Sequence, residues 1–362
     1  FWPHGRAPVV CKTPDASVKC PALLSLLGLR GRPRELALSV SEHRSFRLTA
    51  RLWNAVASFY DSSRHNIKVA REQFPDRIDW GRSVPFLLMH VACLAAFWTG
   101  VSPVALVVAL VAYLVRMFAI TGFYHRYFSH RTFKTSRAGQ FVFGLLGASA
   151  VQRGPVWWAA HHRHHHANSD RAEDVHSPSQ HGFWRSHMGW FLTIKGFAPD
   201  FQLVRDLMKF PELRWLDRFD IVVPTLLGVS MFLLGVILHN VAPQLGTTGW
   251  QMLVWGFVIS TVVCWHGTYT INSLSHVFGR QRYRTGDTSR NNWLLAILTL
   301  GEGWHNNHHY YPNTVRQGFY WWEYDITFYV LKLLSWCGII WDLKPIPVAV
   351  RDNPARRLPG RS

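Results

Sequence analysis

The chain has 362 residues, of which 48% are hydrophobic, 14% aromatic and 17% charged, and its formal net charge is +18. So many large apolar side chains exclude a disordered chain. The five Cys show no paired spacing, which excludes a disulfide scaffold. Low charge combined with a high aromatic content indicates a membrane protein.

Two long stretches of the chain are almost free of charge. Residues 83–124 contain one charged side chain, Arg116, and residues 221–279 contain no Asp, Glu, Lys or Arg. A helix needs about 20 apolar residues to cross a bilayer, so each stretch is long enough for two spans joined by a turn. We predict these spans at about 82–98, 103–124, 221–238 and 251–272. The alternative is a pair of buried helical hairpins in a large soluble protein.

The basic residues lie outside the predicted spans. Residues 1–82 hold 14 Lys and Arg, residues 125–220 hold 13 and residues 273–362 hold 11. Because basic segments stay on the cytoplasmic side of a membrane, we expect a multi-pass protein whose termini and central segment are cytoplasmic. The basic surface suits anionic lipid or an acidic partner. No nucleic-acid-binding motif accompanies it, so we expect no nucleic-acid partner.

The expected architecture is an all-α membrane protein, with four transmembrane helices arranged as two hairpins beneath a cytoplasmic helical cap. Residues 1–44 mix Pro, Arg, Lys and Ser without periodicity and are expected to be poorly ordered. Residues 45–352 are expected to form the membrane domain. Residues 353–362 are rich in Arg and Pro and are expected to form a loose tail.

Histidines form three clusters just outside the spans. Two of the clusters contain H-x-x-H-H, and on a helix the positions i, i+3 and i+4 share one face. The third cluster is a pair five residues apart, which an ideal helix would place about 140° apart, so it requires a helix end or a bend. The clustered histidines are His125 and His130, then His162, His165 and His166, and finally His305, His308 and His309.

These eight imidazoles are too many for one metal ion, and they predict two metal positions. Imidazole suits Zn, Cu, Fe and Ni alike, so the ligand type leaves the metal open. The absence of Cys from the clusters argues against a structural zinc site or an iron–sulfur centre. The alternative is a low-complexity tract that sequesters metal.

The order of clusters and spans resembles the membrane fatty acyl desaturase family, and most of all its delta-9, or stearoyl-CoA desaturase, branch in the bacterial form. The resemblance covers about residues 75–345, and its bacterial form implies a location in a bacterial inner membrane. It rests on the segments Gly122–Lys134, Trp158–Arg163, Ser186–Trp190, Asn272–His276 and Gly301–His309.

The resemblance implies two iron ions, held by nine histidines and by one asparagine through water. It adds His276 and Asn272, which the spacing alone does not single out, and it selects iron over zinc. The implied set is His125, His130, His162, His165, His166, Asn272, His276, His305, His308 and His309.

Side chains near the clusters are expected to support the ligands. Glu302, three residues before His305, can accept the free ring N–H of a ligand histidine and fix its orientation. His161 is expected to support a ligand in the same way, whereas Glu173 and Asp174 are left open between that role and a solvated loop.

The resemblance also implies a substrate tunnel between the spans. Trp157, Trp158 and Thr268 are expected to form its wall, and Tyr113 and Met117 to lie towards its closed end. Ordinary packing between spans is an equally good explanation of the last two residues.

The implied reaction is an O2-dependent desaturation, at the delta-9 position of a long-chain fatty acyl substrate, with membrane lipid around the site. Animal acyl-CoA enzymes of the family carry an Arg-Asp pair at the positions that Ala160 and His161 occupy in this chain, so acyl-CoA and acyl-phospholipid both stay open. The chain has no flavin, nicotinamide, haem or iron–sulfur motif, so a separate electron donor is expected: a ferredoxin, a cytochrome b5-like protein or a flavin reductase. The alternatives are a membrane di-iron hydroxylase or alkane monooxygenase, and a histidine-rich metal transporter.

Overall fold

The computed structural model describes Asp61 and residues 77–358. The chain divides into two compact units, 1–55 and 56–362, and all described residues belong to the second. The segment 1–44, expected to be poorly ordered, and the last four residues of the basic tail lie outside the described residues.

Helices dominate the described residues. The principal ones are α1 (Trp80–Thr99), α2 (Pro103–Ser129), α3 (Arg137–Ala148), α4 (Pro155–Asn168), α5 (Pro211–Arg218), α6 (Val222–Val241), α7 (Gly249–Val277), α8 (Trp293–Leu298), α9 (His305–Tyr310) and α10 (Ile326–Trp336). Short helical turns lie at Pro178–His181, Arg185–Gly189, Trp190–Leu192, Ile194–Phe197, Phe201–Val204, Pro243–Leu245 and Val348–Arg351. Two short antiparallel strands, β1 (Lys134–Thr135) and β2 (Ile340–Trp341), pair Lys134 with Trp341.

Four helices, α1, α2, α6 and α7, are long and apolar enough to cross a membrane, which confirms the four predicted spans. Helices α2 and α7 run past the predicted ends at 124 and 272, to Ser129 and Val277. They continue because the segments that carry His125 and His276 are themselves helical.

The outer faces of these helices are apolar and exposed. Phe97 and Trp98 of α1 are 84% and 81% exposed, and Val107 and Leu110 of α2 are also exposed. Apolar surface of this extent marks a lipid-facing belt. Trp98 lies at the end of its span, where aromatic residues anchor a helix at the membrane interface.

Polar side chains fasten the spans to one another. Arg116 is 2% exposed, and its guanidinium donates to the Thr261 hydroxyl of α7 at 2.6 Å and to the Ala112 carbonyl at 2.9 Å. His90 of α1 lies 3.1 Å from His266 of α7, between their Nε2 atoms. Such interhelical hydrogen bonds hold helices together where lipid provides no hydrophobic drive.

The last turns of α2 are π-helical, from Ala119 to Ser129, and every residue of this segment is buried. The segment closes with a hydrogen bond from the His130 amide to the His125 carbonyl at 3.2 Å, which is an i→i+5 pair. The π-helical turn therefore accounts for the five-residue spacing of His125 and His130, which an ideal α-helix would point in different directions. Single π-helical turns are frequent at functional sites.

We call the helices packed around the last turns of α2 the cap. Helices α3, α4 and α10 contact these turns, α5 packs against α3 and α4, and α9 reaches them through His308. Asp217 stabilises the start of α4, because its Oδ1 accepts hydrogen bonds from the Val156 and Trp157 amides at 3.1 and 2.8 Å. The described part of the basic tail, 353–358, returns to the cap, where Arg357 forms a bridge with Tyr283. This part of the tail therefore makes contacts that the expectation of a loose tail did not include.

Candidate metal centre

Four elements bring nine histidines together in the cap. We call the first cluster the five-histidine group: His125, His130, His162, His166 and His308. The second is the four-histidine group: His165, His276, His305 and His309. Within each group, the ring nitrogens lie within 4.8 Å of one another.

The nitrogens that converge are the Nε2 atoms. In the five-histidine group, His130 and His162 place them 2.8 Å apart. In the four-histidine group, the separation is 3.2 Å between His276 and His305. Imidazoles converging on a common point through the same ring atom are the arrangement that a metal ion requires.

Each H-x-x-H-H helix contributes to both groups. On α4, His162 and His166 point to the five-histidine group and His165 points to the other. On α9, His308 joins the five-histidine group, whereas His305 and His309 join the four-histidine group. Each H-x-x-H-H motif therefore connects the two histidine groups.

Carboxylates hold the outer nitrogens of the four-histidine group. Three Nδ1 atoms face an aspartate: that of His165 lies 2.9 Å from Asp174, that of His276 lies 3.3 Å from Asp170, and that of His309 lies 2.7 Å from Asp287. A carboxylate at this position fixes the ring and makes the inner nitrogen a better ligand. The fourth ring, His305, has a buried Nδ1 without a hydrogen-bond partner among the described residues.

The five-histidine group has one such carboxylate, Glu302, whose Oε2 lies 2.5 Å from His125 Nδ1. Arg126 donates to the other carboxylate oxygen at 3.0 Å, and Gln317 donates to Oε2 at 2.9 Å. Gly301 positions this residue: its φ of +128° disfavours other side chains, and a Cβ there would lie 2.4 Å from Asp325.

Burial sets the protonation of the ligand nitrogens. It lowers the pKa of His309 to about 4, against the opposing pull of Asp287. It also lowers the pKa well below the usual value for His130, His162, His166, His305 and His308, and neighbouring histidines add to this. Neutral imidazoles keep the lone pair that binds metal.

The aspartates behave in the opposite way from simply buried acids. Although burial alone would raise their pKa values, the histidine contacts hold the pKa of Asp170, Asp174 and Asp287 below the usual range. His165 differs from the other rings, because three nearby aspartates outweigh burial and raise its pKa. The four-histidine group, with three aspartates beside it, therefore has more negatively charged surroundings than the five-histidine group, which has one glutamate.

A cavity of about 470 Å³, including its open mouth, lies against both groups. Met117, Trp158 and Thr268, predicted as tunnel residues, line it, as does Asn272. The remaining lining residues are Ile120, Thr121, His125, His162, His165, Ile271, Thr299, Glu302 and His305.

Three other predicted site residues, Tyr113, Trp157 and His161, lie outside the lining of this cavity. Tyr113 donates a hydrogen bond to the Leu298 carbonyl at 2.5 Å, beside the cavity rather than in its lining. The Trp157 indole donates to the Phe197 carbonyl at 2.7 Å, and His161 Nε2 lies 3.2 Å from the same oxygen. The geometry therefore places Trp157 and His161 together against the helical turn Ile194–Phe197.

Sequence reasoning missed several residues of the site. Asp170 and Asp287 lie on loops, where no spacing marks them. Gln152 donates to the Thr268 hydroxyl at 3.0 Å and accepts from the Trp158 indole at 3.4 Å, so it connects two cavity residues. Helical periodicity could have found Ile120, one turn after Met117, because both face the same side of α2.

The donor set fits two metal ions. Nine imidazoles in two groups, four of them with a carboxylate behind the ring, match the ligand preferences of iron and other first-row metals. Asn272 lines the same cavity as His165 and His305, which suits completion of the four-histidine group through a water molecule.

The sequence comparisons agree with this geometry. A model of the fatty acid desaturase family matches residues 101–333. The chain belongs to the fatty acid desaturase family. This confirms the family resemblance, and it makes the chain an oxidoreductase of fatty acid metabolism whose family is generally di-iron.

Three relatives illustrate the range of the desaturase family. The chain is 37% identical to an acyl-CoA 5-desaturase of Anemone leveillei, over 71% of this chain and 76% of the relative. It is 38% identical to a palmitoyl-monogalactosyldiacylglycerol delta-7 desaturase of Arabidopsis thaliana, over 74% and 69%. It is 35% identical to an sn-1 stearoyl-lipid 9-desaturase of Anabaena variabilis, over 74% and 94%. The last relative supports the delta-9 branch.

Proposed function

We propose that the chain is an O2-dependent di-iron desaturase that inserts a cis double bond at the delta-9 position of a saturated long-chain acyl group. The acyl group is carried as acyl-CoA or in a membrane phospholipid. The cap and the termini face the cytoplasm of a bacterial inner membrane. A separate protein, of the ferredoxin, cytochrome b5-like or flavin reductase kind, supplies the electrons.

One observation carries this proposal: a single cavity touches both histidine groups and continues between the spans. Near the groups its wall contains His125, His165 and Asn272. Further along, the wall contains Met117 and Ile120. A cavity that meets both histidine groups and also has apolar wall residues suits a methylene chain whose middle lies next to those groups.

The protein's own residues position the chain and keep water out. The buried side chains of Met117 and Ile120 provide apolar contact for methylene groups. The Thr268 hydroxyl accepts a hydrogen bond from Gln152 and donates one to the Cys264 carbonyl, so this polar group of the wall has protein partners and does not need water. Two iron ions bound to the histidines would supply the O2 chemistry that an unactivated C–H bond requires. Fixing the chain beside them lowers the entropic part of the barrier.

The delta-9 position and the carrier rest on different support. The delta-9 position is supported by the family branch and by the relatives that are named 9-desaturases. Other relatives are named 5- and delta-7 desaturases. The two carriers differ in the group that must sit at the mouth of the cavity. The basic surface of the chain suits the phosphates of either one.

The test is a fatty-acid profile of a desaturase-deficient bacterial strain expressing the full chain. Gas chromatography–mass spectrometry of dimethyl disulfide adducts locates each double bond. We expect a cis-9 monoene with the wild-type chain and none with His165→Ala. The matched control is His164→Ala, because His164 belongs to neither group and its Nε2 lies 2.9 Å from the Glu173 carbonyl.

Membranes from the same strain distinguish the carriers, when supplied with labelled stearoyl-CoA or with labelled stearoyl-phospholipid. A folded, iron-loaded protein that yields no monoene in any lipid class would overturn the proposal. Hydroxy acids in the same chromatograms would instead indicate the hydroxylase alternative.

A further inference from the structure

Three arginines surround one tyrosine on the surface of the cap. The guanidinium carbons of Arg282, Arg351 and Arg357 lie 4.8, 5.3 and 5.5 Å from the centre of the Tyr320 ring. Trp322 stacks on the same ring, with centroids 4.8 Å apart and planes at 13°. We call these five residues the arginine–tyrosine surface.

The surface presents aromatic and cationic groups to solvent. Trp322 is 47% exposed and its neighbour Trp321 is 76% exposed. The side chains of Arg351 and Arg357 are 31% and 42% exposed. Trp, Tyr and Arg are the residues enriched in protein interfaces and in their energetic hot spots.

The charge of this region is positive. Two further arginines adjoin the arginine–tyrosine surface, because the Arg284 amide donates to the Arg356 carbonyl at 2.9 Å beside the bridge between Tyr283 and Arg357. The carboxylates in contact with the surface are Glu323, which is buried against Arg282, and Asp352, which pairs with Arg351. The region therefore holds five arginines, of which Arg284 and Arg356 are exposed, and two carboxylates that pair with the surface. The excess positive charge suits an acidic partner.

The arginine–tyrosine surface is hydrogen-bonded directly to α9, the helix that carries His305, His308 and His309. Arg282 donates to Asn307 Oδ1 at 3.3 Å, and the amides of Arg282 and Tyr283 donate to Asn306 Oδ1 at 2.7 and 2.8 Å. Asn306 and Asn307 lie in sequence between His305 and His308, which belong to different histidine groups. One layer of side chains therefore separates the exposed arginines from the helix that serves both groups.

We propose that the arginine–tyrosine surface docks the electron donor, and that this donor is an acidic protein with a one-electron centre. The inference rests on the proposed function. Each turnover converts a saturated acyl chain, O2, two electrons and two protons into the alkene and two water molecules. The acyl chain loses two hydrogens, O2 is reduced to water, and the donor supplies its two electrons one at a time. A lipid surface fits the charge equally well but delivers no electrons, and the direct contact with α9 favours the protein.

The experiment measures binding without turnover. The full-length, iron-loaded chain is placed in nanodiscs of neutral phosphatidylcholine. The probes are an acidic plant-type [2Fe–2S] ferredoxin and an acidic cytochrome b5 haem domain. Biolayer interferometry gives Kd for each probe over a range of NaCl concentrations.

The test variant is the double substitution Arg351→Glu with Arg357→Glu. Its control is Arg205→Glu with Lys209→Glu, which makes the same change in charge at exposed positions elsewhere on the cap. Melting temperature and iron content show that both variants are folded.

We expect the wild type to bind at least one probe, with Kd weakening as salt rises. We expect the test variant to bind roughly tenfold or more weakly, because reversing interface charges places like charges together, whereas the control changes little. Failure of the wild type to bind either probe at low salt, or an equal loss in both variants, overturns the proposal.

If the test variant binds the probes as tightly as the wild type does, the proposal is wrong. If the variant also incorporates less well into phosphatidylglycerol vesicles than into phosphatidylcholine vesicles, the surface contacts lipid instead. Binding is measured without turnover. A chain that fails to desaturate therefore overturns the proposed function, whereas the docking proposal is judged by the binding data alone.

Discussion

His125 and His308 are 183 residues apart in the chain, yet their Nε2 atoms lie 3.0 Å apart. The first lies in the last turns of the membrane-spanning helix α2 and the second lies on α9 of the cap. The five-histidine group therefore forms only when the spans and the cap have packed together. Metal binding at this group should stabilise the packed state, because the ligand set does not exist in the unfolded chain.

Glu302→Gln should weaken metal binding at the five-histidine group. The substitution keeps the size of the side chain but removes the charge that holds His125 and pairs with Arg126. Loss of such a partner typically lowers metal affinity about 10- to 100-fold. The measurement is iron per chain by mass spectrometry after dialysis against a weak chelator. The control is Glu173→Gln, whose side chain is exposed; equal iron retention in the two variants would contradict this role of Glu302.

Asp287→Asn should act on the other metal position. Asp287 contacts His309, which belongs to the four-histidine group, so we expect iron to fall from two ions per chain towards one. Mössbauer spectra of protein loaded with ⁵⁷Fe would show whether a single environment is left. Asp200→Asn is a suitable control, because Asp200 Oδ1 accepts a hydrogen bond from the Gln202 amide, far from both groups in sequence. Simultaneous loss of both ions would argue against independent groups.

Met117→Ala should extend the cavity and shift the product profile towards longer acyl chains. Met117 lines the cavity, and a Cβ on Gly267 would lie 2.8 Å from its Cε atom. Because the added methyl group would push against Met117 and narrow the cavity, Gly267→Ala should shift the profile towards shorter chains. Leu110→Ala on the exposed face of α2 serves as the control. An unchanged chain-length profile in both cavity variants would assign Met117 to packing between spans.

The metal-free protein should lose stability as the pH falls from about 6.5 to 4. His309 has a pKa of about 4 in the folded protein, below the unfolded value, so in this window the unfolded chain binds a proton that the folded chain does not. The five histidines with strongly lowered pKa values act in the same direction. The lowered pKa values of Asp170, Asp174 and Asp287 add a further loss at lower pH, as these carboxylates become protonated.

His165 opposes this trend, because its pKa is raised. Differential scanning fluorimetry in the presence of a chelator checks the net effect. A melting temperature that rises or stays constant on acidification would show that the histidines with lowered pKa values do not outweigh His165.

The four spans were predictable because a long run without charge has few other uses, and the predicted boundaries lie close to the observed ones. The nine histidines that form the two groups are also the nine that the family resemblance implied. Their division between the groups could not be read from the sequence. His165 and His166 are adjacent in the chain but serve different groups, because neighbouring side chains on a helix point in directions about 100° apart.

The same geometry separates Trp158 from Trp157. Successive positions on α4 cannot both face the cavity, and the sequence offers no means of choosing between two tryptophans. The carboxylates that contact the histidines were harder still to predict from the sequence. Asp287 reaches His309 from a loop, and loop geometry depends on the packed structure rather than on a periodic pattern.

The central claim is that the site removes hydrogen from an acyl chain and leaves no oxygen in it. It is tested most directly by incubating the iron-loaded enzyme with a stearoyl substrate, a one-electron donor and ¹⁸O2, followed by mass spectrometry of the lipid and the water. We predict an alkene without ¹⁸O, and ¹⁸O in the water. An alcohol carrying ¹⁸O as the main product would contradict the claim and identify the chain as a hydroxylase.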